Sequence, residues 1–175
     1  MRHYLLTACI ALSSCAASQC PQFYMNRTRG SSPCYFTDEY GRVAFNNAHY
    51  EDARQFIGDR AAVQRDGKWG FIAPTGETVI PLQYDWCSSF GEYGFDRSVA
   101  MVKNEVDKFK LPILSDCPTA LIDRSGKLVT PFYGFIFPVR GKRAFVNDGH
   151  TDFADTRFQN LGFADGKWGC IDRKG

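Results

Sequence analysis

Asp66-Gly67-Lys68-Trp69-Gly70-Phe71-Ile72 returns 99 positions later as Asp165-Gly166-Lys167-Trp168-Gly169-Cys170-Ile171. Five identical residues in a row mark an internal repeat. Asp66-Gly67 between apolar alternating stretches is a strong hairpin signal, because a two-residue type I′ turn needs positive φ at both centres. In the strand that follows, Trp69 and Phe71 point to one face, Gly70 and Ile72 to the other. Gly70 brings no side chain where a neighbouring backbone or ring comes close. Pro74-Thr75-Gly76 reverses the chain into Thr78-Val79-Ile80, and Pro81, which cannot donate to a ladder, is expected to end that strand. Such a meander carries apolar groups on both faces and needs neighbours to cover them. The motif Trp and Phe side chains are therefore expected in the core.

Working outward, Ser125-Gly126-Lys127-Leu128-Val129-Thr130-Pro131 matches Thr75 to Pro81, and Ile122-Asp123-Arg124-Ser125-Gly126 matches Ile171 to Gly175. Thr37 to Arg42 is a weaker copy of the same turn. Tyr50 and Phe56 are six apart, as are Tyr84 and Phe90. Alternating strands at Ala62-Val63, Ala100-Met101-Val102 and Ala144-Phe145-Val146 precede the units. The turn glycines Gly41, Gly76, Gly126 and Gly175 stand 35, 50 and 49 residues apart. A unit of about 35 residues with two insertions of roughly 15 accounts for this. The insertions, Lys103 to Thr119 and Asn147 to Ala164, follow the Ala-x-Val strand at one phase and should project from one edge. The expected fold is all-β: an array of short antiparallel hairpin or meander repeats. Composition agrees, with 15 Phe, 8 Tyr, 3 Trp and 16 Gly favouring short strands and tight turns.

The sequence resembles the bacterial WG-repeat (KWG-repeat) family. The likeness rests on DGKWGFI at Asp66 to Ile72, TGETVIPLQYD at Thr75 to Asp85 and DGKWGCID at Asp165 to Asp172, and covers roughly Pro33 to Gly175. The repeat positions are Gly67, Trp69, Gly70, Gly166, Trp168 and Gly169. The unit at Cys117 to Ile122 lacks the Trp-Gly pair, and the first unit is visible only from its turn onward. The resemblance implies a repetitive, β-rich protein, often exported or envelope-associated, with a binding or scaffolding role and no shared catalytic residues.

The N-terminus reads as an address. Arg2, the apolar run Leu5 to Leu12 and small residues after it form an export signal over residues 1–14. Leu12-Ser13-Ser14-Cys15 resembles the lipobox of bacterial lipoproteins, with Cys15 as the lipidated residue. Ordinary cleavage near Ala16-Ala17, giving a freely secreted protein, stays open. Residues 15–32 read as a linker and 33–175 as the repeat array. Removal of Cys9 and lipidation of Cys15 leave five cysteines, an odd number. Cys170 replaces Phe71 in the alignment and is expected to be a buried, inert thiol. Cys20 with Cys34 and Cys87 with Cys117 are then one of three possible pairings. Gly175 stands at the phase of a turn glycine with no strand after it. The array is thus expected to continue with a pattern such as G-K-x-V-I-P-x-x-Y-D, or else to have its last strand covered by another strand or molecule.

Chemistry is scarce. Net charge is +2, with 21 basic and 19 acidic residues, so nucleic acid is not an expected partner. No apolar run is long enough to span a bilayer, leaving an N-terminal lipid as the one route to a membrane. His49 and His150 are the imidazoles outside the leader, and neither stands in a metal-ligand pair. Paired C-x-x-C, G-x-S-x-G and phosphate-cradling motifs are lacking, and Ser31-Ser32 and Ser88-Ser89 have no histidine context. Asp148-Gly149-His150-Thr151-Asp152 lacks the calcium-loop order and reads as a solvated loop. The mixed-sign run Lys103 to Lys110 reads likewise. The expectation is a non-enzyme without cofactor or metal: an extracytoplasmic scaffold binding another protein or an envelope component. The alternative is a carbohydrate- or cell-wall-binding module using Phe109, Phe153 and Phe158 on the insertions, rings that equally serve to anchor those loops.

Overall fold

Asp66 and Gly67 take up φ of +53° and +70°, the paired positive values that the type I′ turn demands. In the computed structural model, which describes residues 22–27, 33–95, 99–104, 118–138, 143–149 and 166–172, this hairpin is one of a series. The strands are β1 (Tyr24–Arg27), β2 (Cys34–Thr37), β3 (Asp52–Ala53), β4 (Ala61–Arg65), β5 (Lys68–Ile72), β6 (Thr78–Tyr84), β7 (Trp86–Cys87), β8 (Val99–Lys103), β9 (Thr119–Asp123), β10 (Phe135–Pro138), β11 (Arg143–Asn147) and β12 (Trp168–Asp172). The described residues contain no α-helix, only short 3-10 turns at Phe45–Asn47 and Glu92–Gly94. The fold is all-β.

Four antiparallel sheets form: sheet I (β1-β2), sheet II (β3-β4-β5-β6), sheet III (β7-β8-β9) and sheet IV (β10-β11-β12). Sheets II, III and IV share one register. Ala62 faces Phe71, Met101 faces Leu121, and Phe145 faces Cys170. One residue along, Val63 faces Gly70, Val102 faces Ala120, and Val146 faces Gly169. Sheet I repeats the pattern with Met25 opposite Phe36. Both insertions fall between β8 and β9 and between β11 and β12, where sheet II has the Asp66-Gly67 turn.

Alternation along each strand sends side chains to both faces, and each interior face meets the next sheet. Phe36 and Cys34 of sheet I bury with Ala61, Val63 and Ile72 of sheet II. Trp69 and Phe71, on the opposite face of sheet II, bury with Ala100, Val102 and Ile122 of sheet III. Met101 and Leu121 then meet Ile136, Ala144 and Val146 of sheet IV. The result is a one-dimensional stack in which sheets II and III are covered on both sides.

The turns that follow β2, β5 and β9 are built on one plan. Asp38, Ala73 and Asp123 each donate N–H to the carbonyl four residues on, and each accepts from the glycine three residues on. Those glycines, Gly41, Gly76 and Gly126, have φ of +77°, +85° and +86°. Asp38 and Asp123 reinforce the turn with side-chain Oδ1, which accepts N–H bonds from Tyr40 and Arg42, and from Ser125 and Lys127.

Three expectations need correction. Pro81 does not end its strand: β6 runs on to Tyr84, with pairs Trp69–Tyr84 and Phe71–Ile80 leaving extra residues opposite Gly70. A bulge removes the need for a ladder bond from Pro81. Cys170 is exposed rather than buried, and Trp168 is 52% exposed against 5% for Trp69. Both lie on the face of sheet IV that points away from sheet III, so no described sheet covers them. Within the stretch read as a linker, Tyr24–Arg27 form β1 and pair with β2.

Candidate functional site

The repeat motif is a device for joining sheets. Trp69 packs in the layer between sheets II and III, and the Arg54 guanidinium lies over its ring at 5.4 Å and over that of Trp86, also at 5.4 Å. Glu92 Oε1 stands 3.6 Å from Arg54 Nη1, while its Oε2 accepts a 2.6 Å bond from the Ser89 N–H. Each cation–π contact in this half-desolvated setting contributes on the order of 1 kcal/mol. Gly70 is needed for backbone proximity: a β-carbon there would lie 2.5 Å from the Ile80 carbonyl oxygen. In sheet III, Ala120 takes this place, and the segment beside it pairs through the isolated bridges Ile122–Leu128 and Thr119–Tyr133 rather than a continuous strand ladder. Gly67 supplies the turn, whose amides are held by Glu51: Oε1 accepts from Asp66 at 3.0 Å and Oε2 from Gly67 at 2.9 Å. At the corresponding place in sheet IV, Asp148 Oδ1 accepts the Lys167 N–H at 2.6 Å, and Gly166 has φ of +96°.

Other polar side chains are engaged in the same way. Arg124, in the turn after β9, reaches 65 residues back to form an ion pair with Asp59, and its guanidinium covers the Phe90 ring at 4.9 Å. Ser88 Oγ donates to the Ser89 carbonyl and accepts from the Met101 N–H, each at 2.9 Å, so this buried hydroxyl is structural. Cys34 and Cys87 are buried free thiols, and burial pushes the Cys87 pKa up. Their expected partners Cys20 and Cys117 lie outside the described residues, as do Cys15, Phe109, Phe153, Phe158 and His150. Among the described residues no group of His, Cys, Asp and Glu is arranged to hold a metal ion.

The structure brings Gly67, Trp69 and Gly70 together in sheet II and sets Gly166, Trp168 and Gly169 in the same register in sheet IV. A model of the WG containing repeat matches residues 47–69 and 69–105. The chain contains WG repeats. Those two matches span the end of sheet I's unit, all of sheet II and the first two strands of sheet III. Searches among curated proteins and among solved structures found no match.

Several structural residues escaped the sequence reading of these WG repeats. Arg54 has no counterpart in the other units to signal its place between two Trp rings. The strand pair of sheet I was hidden because Cys34-Tyr35-Phe36-Thr37 replaces Trp-Gly-Phe-Ile. Its signal was the alternation leading into Asp38, the residue that aligns with Ala73 and Asp123.

Large apolar side chains are exposed in the turns, at Tyr40, Val43, Leu128 and Phe132, and on the outer faces of the first and last described sheets. The outer face of sheet IV carries Phe137, Phe145 and Trp168, exposed by 49%, 50% and 52%. The outer face of sheet I carries Tyr24, Asn26, Tyr35 and Thr37, with Asn26 Nδ2 donating to Thr37 Oγ1 at 2.9 Å. Tyr24 on that face is itself 47% exposed, and the Tyr35 ring packs against His49.

Proposed function

We propose that this WG-repeat protein is a non-catalytic scaffold, exported and held in the cell envelope, whose stacked sheets present a surface to another protein or an envelope component. The observation that carries this reading is the placement of the motif residues. Trp69 and Arg54 join sheets, Gly70 seats β6 against β5, Glu51, Asp38 and Asp123 hold turns, and Arg124 with Asp59 ties successive units together. The best-equipped polar groups of the described residues thus build a regular solid, and a regular solid acts through its surface. Export rests on the leader-like residues 1–14, and anchoring on the lipobox-like Leu12-Ser13-Ser14-Cys15.

Fractionation of native cells, with mass spectrometry of the mature N-terminus, tests the location. A membrane-associated protein acylated at Cys15 supports the anchored form, and a soluble N-terminus near Ala16 supports secretion. Recovery in the cytosol with Met1 retained sinks export altogether. In-cell cross-linking then tests the scaffold role: recurrent envelope cross-links support it, and their lack under conditions that capture known envelope complexes refutes it.

A further inference from the structure

We infer that the Gln55 side chain stands in for a β-strand: its amide closes the outer edge of β1, and without it that edge pairs with the β1 of a second copy. Sheets II, III and IV each place a strand on both sides of the strand that corresponds to β1. There β4 lies between β3 and β5, β8 between β7 and β9, and β11 between β10 and β12. Sheet I has two strands, and among the described residues no strand lies beyond β1.

The direction of the backbone groups follows from the neighbours of β2. The Ala44 N–H donates to the Phe36 carbonyl at 2.8 Å, and Cys34 exchanges both of its backbone bonds with Tyr50. Phe36 and Cys34 therefore turn their backbone groups away from β1, and their partners Met25 and Arg27 turn theirs to its outer edge. The Phe23 carbonyl, two residues before Met25, faces the same way. Gln55 meets these groups. Its Oε1 accepts the Met25 N–H at 2.9 Å, and its Nε2 donates to the Phe23 carbonyl. A side-chain amide carries the donor and acceptor of a peptide group, so this is the pair of bonds that one residue of a parallel strand makes. In sheet II the residue equivalent to Met25 is Ala62, whose carbonyl accepts the Arg54 N–H at 2.9 Å. The main chain at Arg54 thus serves sheet II, and the side chain of the next residue serves sheet I.

Contacts on either side hold Gln55 in place. Asp52 pairs with Arg27, and the Phe56 ring lies 5.7 Å from that of Phe23. An uncovered strand edge is a template for another chain, and natural sheets block such edges. The fitting occupant of this one is a second β1. A two-fold axis at Met25 lets each Met25 N–H reach the other's carbonyl and sets Phe23 opposite Arg27, which joins the two sheets in one plane. The inference is independent of the envelope-scaffold reading.

Sedimentation velocity over a dilution series compares the parent with Gln55→Ala and Gln55→Glu, each as processed by the native host and checked by circular dichroism and thermal melting. Gln55→Ala should shift towards the mass of two chains at concentrations where the parent does not. Gln55→Glu keeps the acceptor for Met25 and puts a charge on the edge, so it should sediment as the parent. Residue-resolved hydrogen exchange locates the contact. At low concentration the Met25 amide should exchange about tenfold faster in Gln55→Ala than in the parent, and its protection should return as the dimer forms. Sedimentation of Gln55→Ala identical with the parent overturns the proposal, as does self-association of both variants alike. A dimer in which the Met25 amide stays fast overturns it in favour of a contact elsewhere on the stack. A parent whose Met25 amide exchanges as fast as an unstructured one overturns it without any variant.

Discussion

Gly70 and Pro81 fit together as a notch and a bulge. A β-carbon on Gly70 would stand 2.6 Å from the carbonyl oxygen of Pro81, closer than a real β-carbon comes to a backbone carbonyl. The Gly of Trp-Gly and the Pro of Ile-Pro are therefore two halves of one contact. That contact links β5 to β6 where the register between Trp69–Tyr84 and Phe71–Ile80 slips.

The first prediction follows from this fit. Gly70→Ala forces β6 away from β5 and should destabilise the fold by about 2–3 kcal/mol, the usual effect of overpacking. Gly169→Ala meets only Val146 Cγ2 at 3.3 Å and should change stability by less than about 1 kcal/mol. Urea unfolding of the two variants, side by side, measures the difference. Equal effects would show that the bulge does not set the requirement for glycine.

Arg124 and Asp59 tie neighbouring units together across 65 residues. Arg124→Ala should lower stability by about 1–2 kcal/mol, through the lost ion pair, the bonds to the Ile57 carbonyl and the cover over Phe90. A double-mutant cycle with Asp59→Ala should return a coupling of about 0.5–1 kcal/mol, since both groups are partly solvated. Additive effects would place the contribution of Arg124 elsewhere.

Acid should weaken the turns. Hydrogen bonds from the Ser125 hydroxyl, then from the Ser125 and Lys127 amides, hold the Asp123 carboxyl below its ordinary pKa of 3.8, outweighing desolvation. At Asp38, desolvation pulls the pKa up, but bonds from the Arg42 amide and guanidinium and the Tyr40 amide bring it below the ordinary value. A pKa lowered in the folded state means the unfolded chain takes up the proton first. The contribution of these aspartates is therefore complete above about pH 4 and is lost as pH falls through the folded-state values. Asp123→Asn should flatten the stability profile below about pH 4 relative to the parent. An unchanged profile would refute the assignment.

Thiol chemistry should separate the cysteines by position. Cys87 is fully buried with its pKa pushed up, whereas Cys170 is exposed on sheet IV. In the native protein, iodoacetamide should label Cys170 on mixing and reach Cys87 only through unfolding. Peptide mapping after a short pulse checks this, and early labelling of Cys87 would contradict the stack.

The sequence by itself determined the local geometry. Asp66-Gly67 required positive φ at two successive residues, the turn glycines set the phase of the repeat, and the alternation of Trp69, Gly70, Phe71 and Ile72 assigned each to a face. These are consequences of backbone sterics and strand pleating, which act over a few residues and are written in the residues themselves. Burial was decided elsewhere. Trp69 and Trp168 lie in the same five-residue motif and the same register, yet one is buried and the other is exposed. Pro81 was placed inside a strand because Gly70, on a neighbouring strand, left room for its carbonyl. Cys34-Tyr35-Phe36-Thr37 became a repeat strand because Ala61, Val63 and Ile72 of sheet II stood ready to cover it. A side chain's partner across a sheet interface lies tens of residues away, and only the assembled stack decides whether that partner is there.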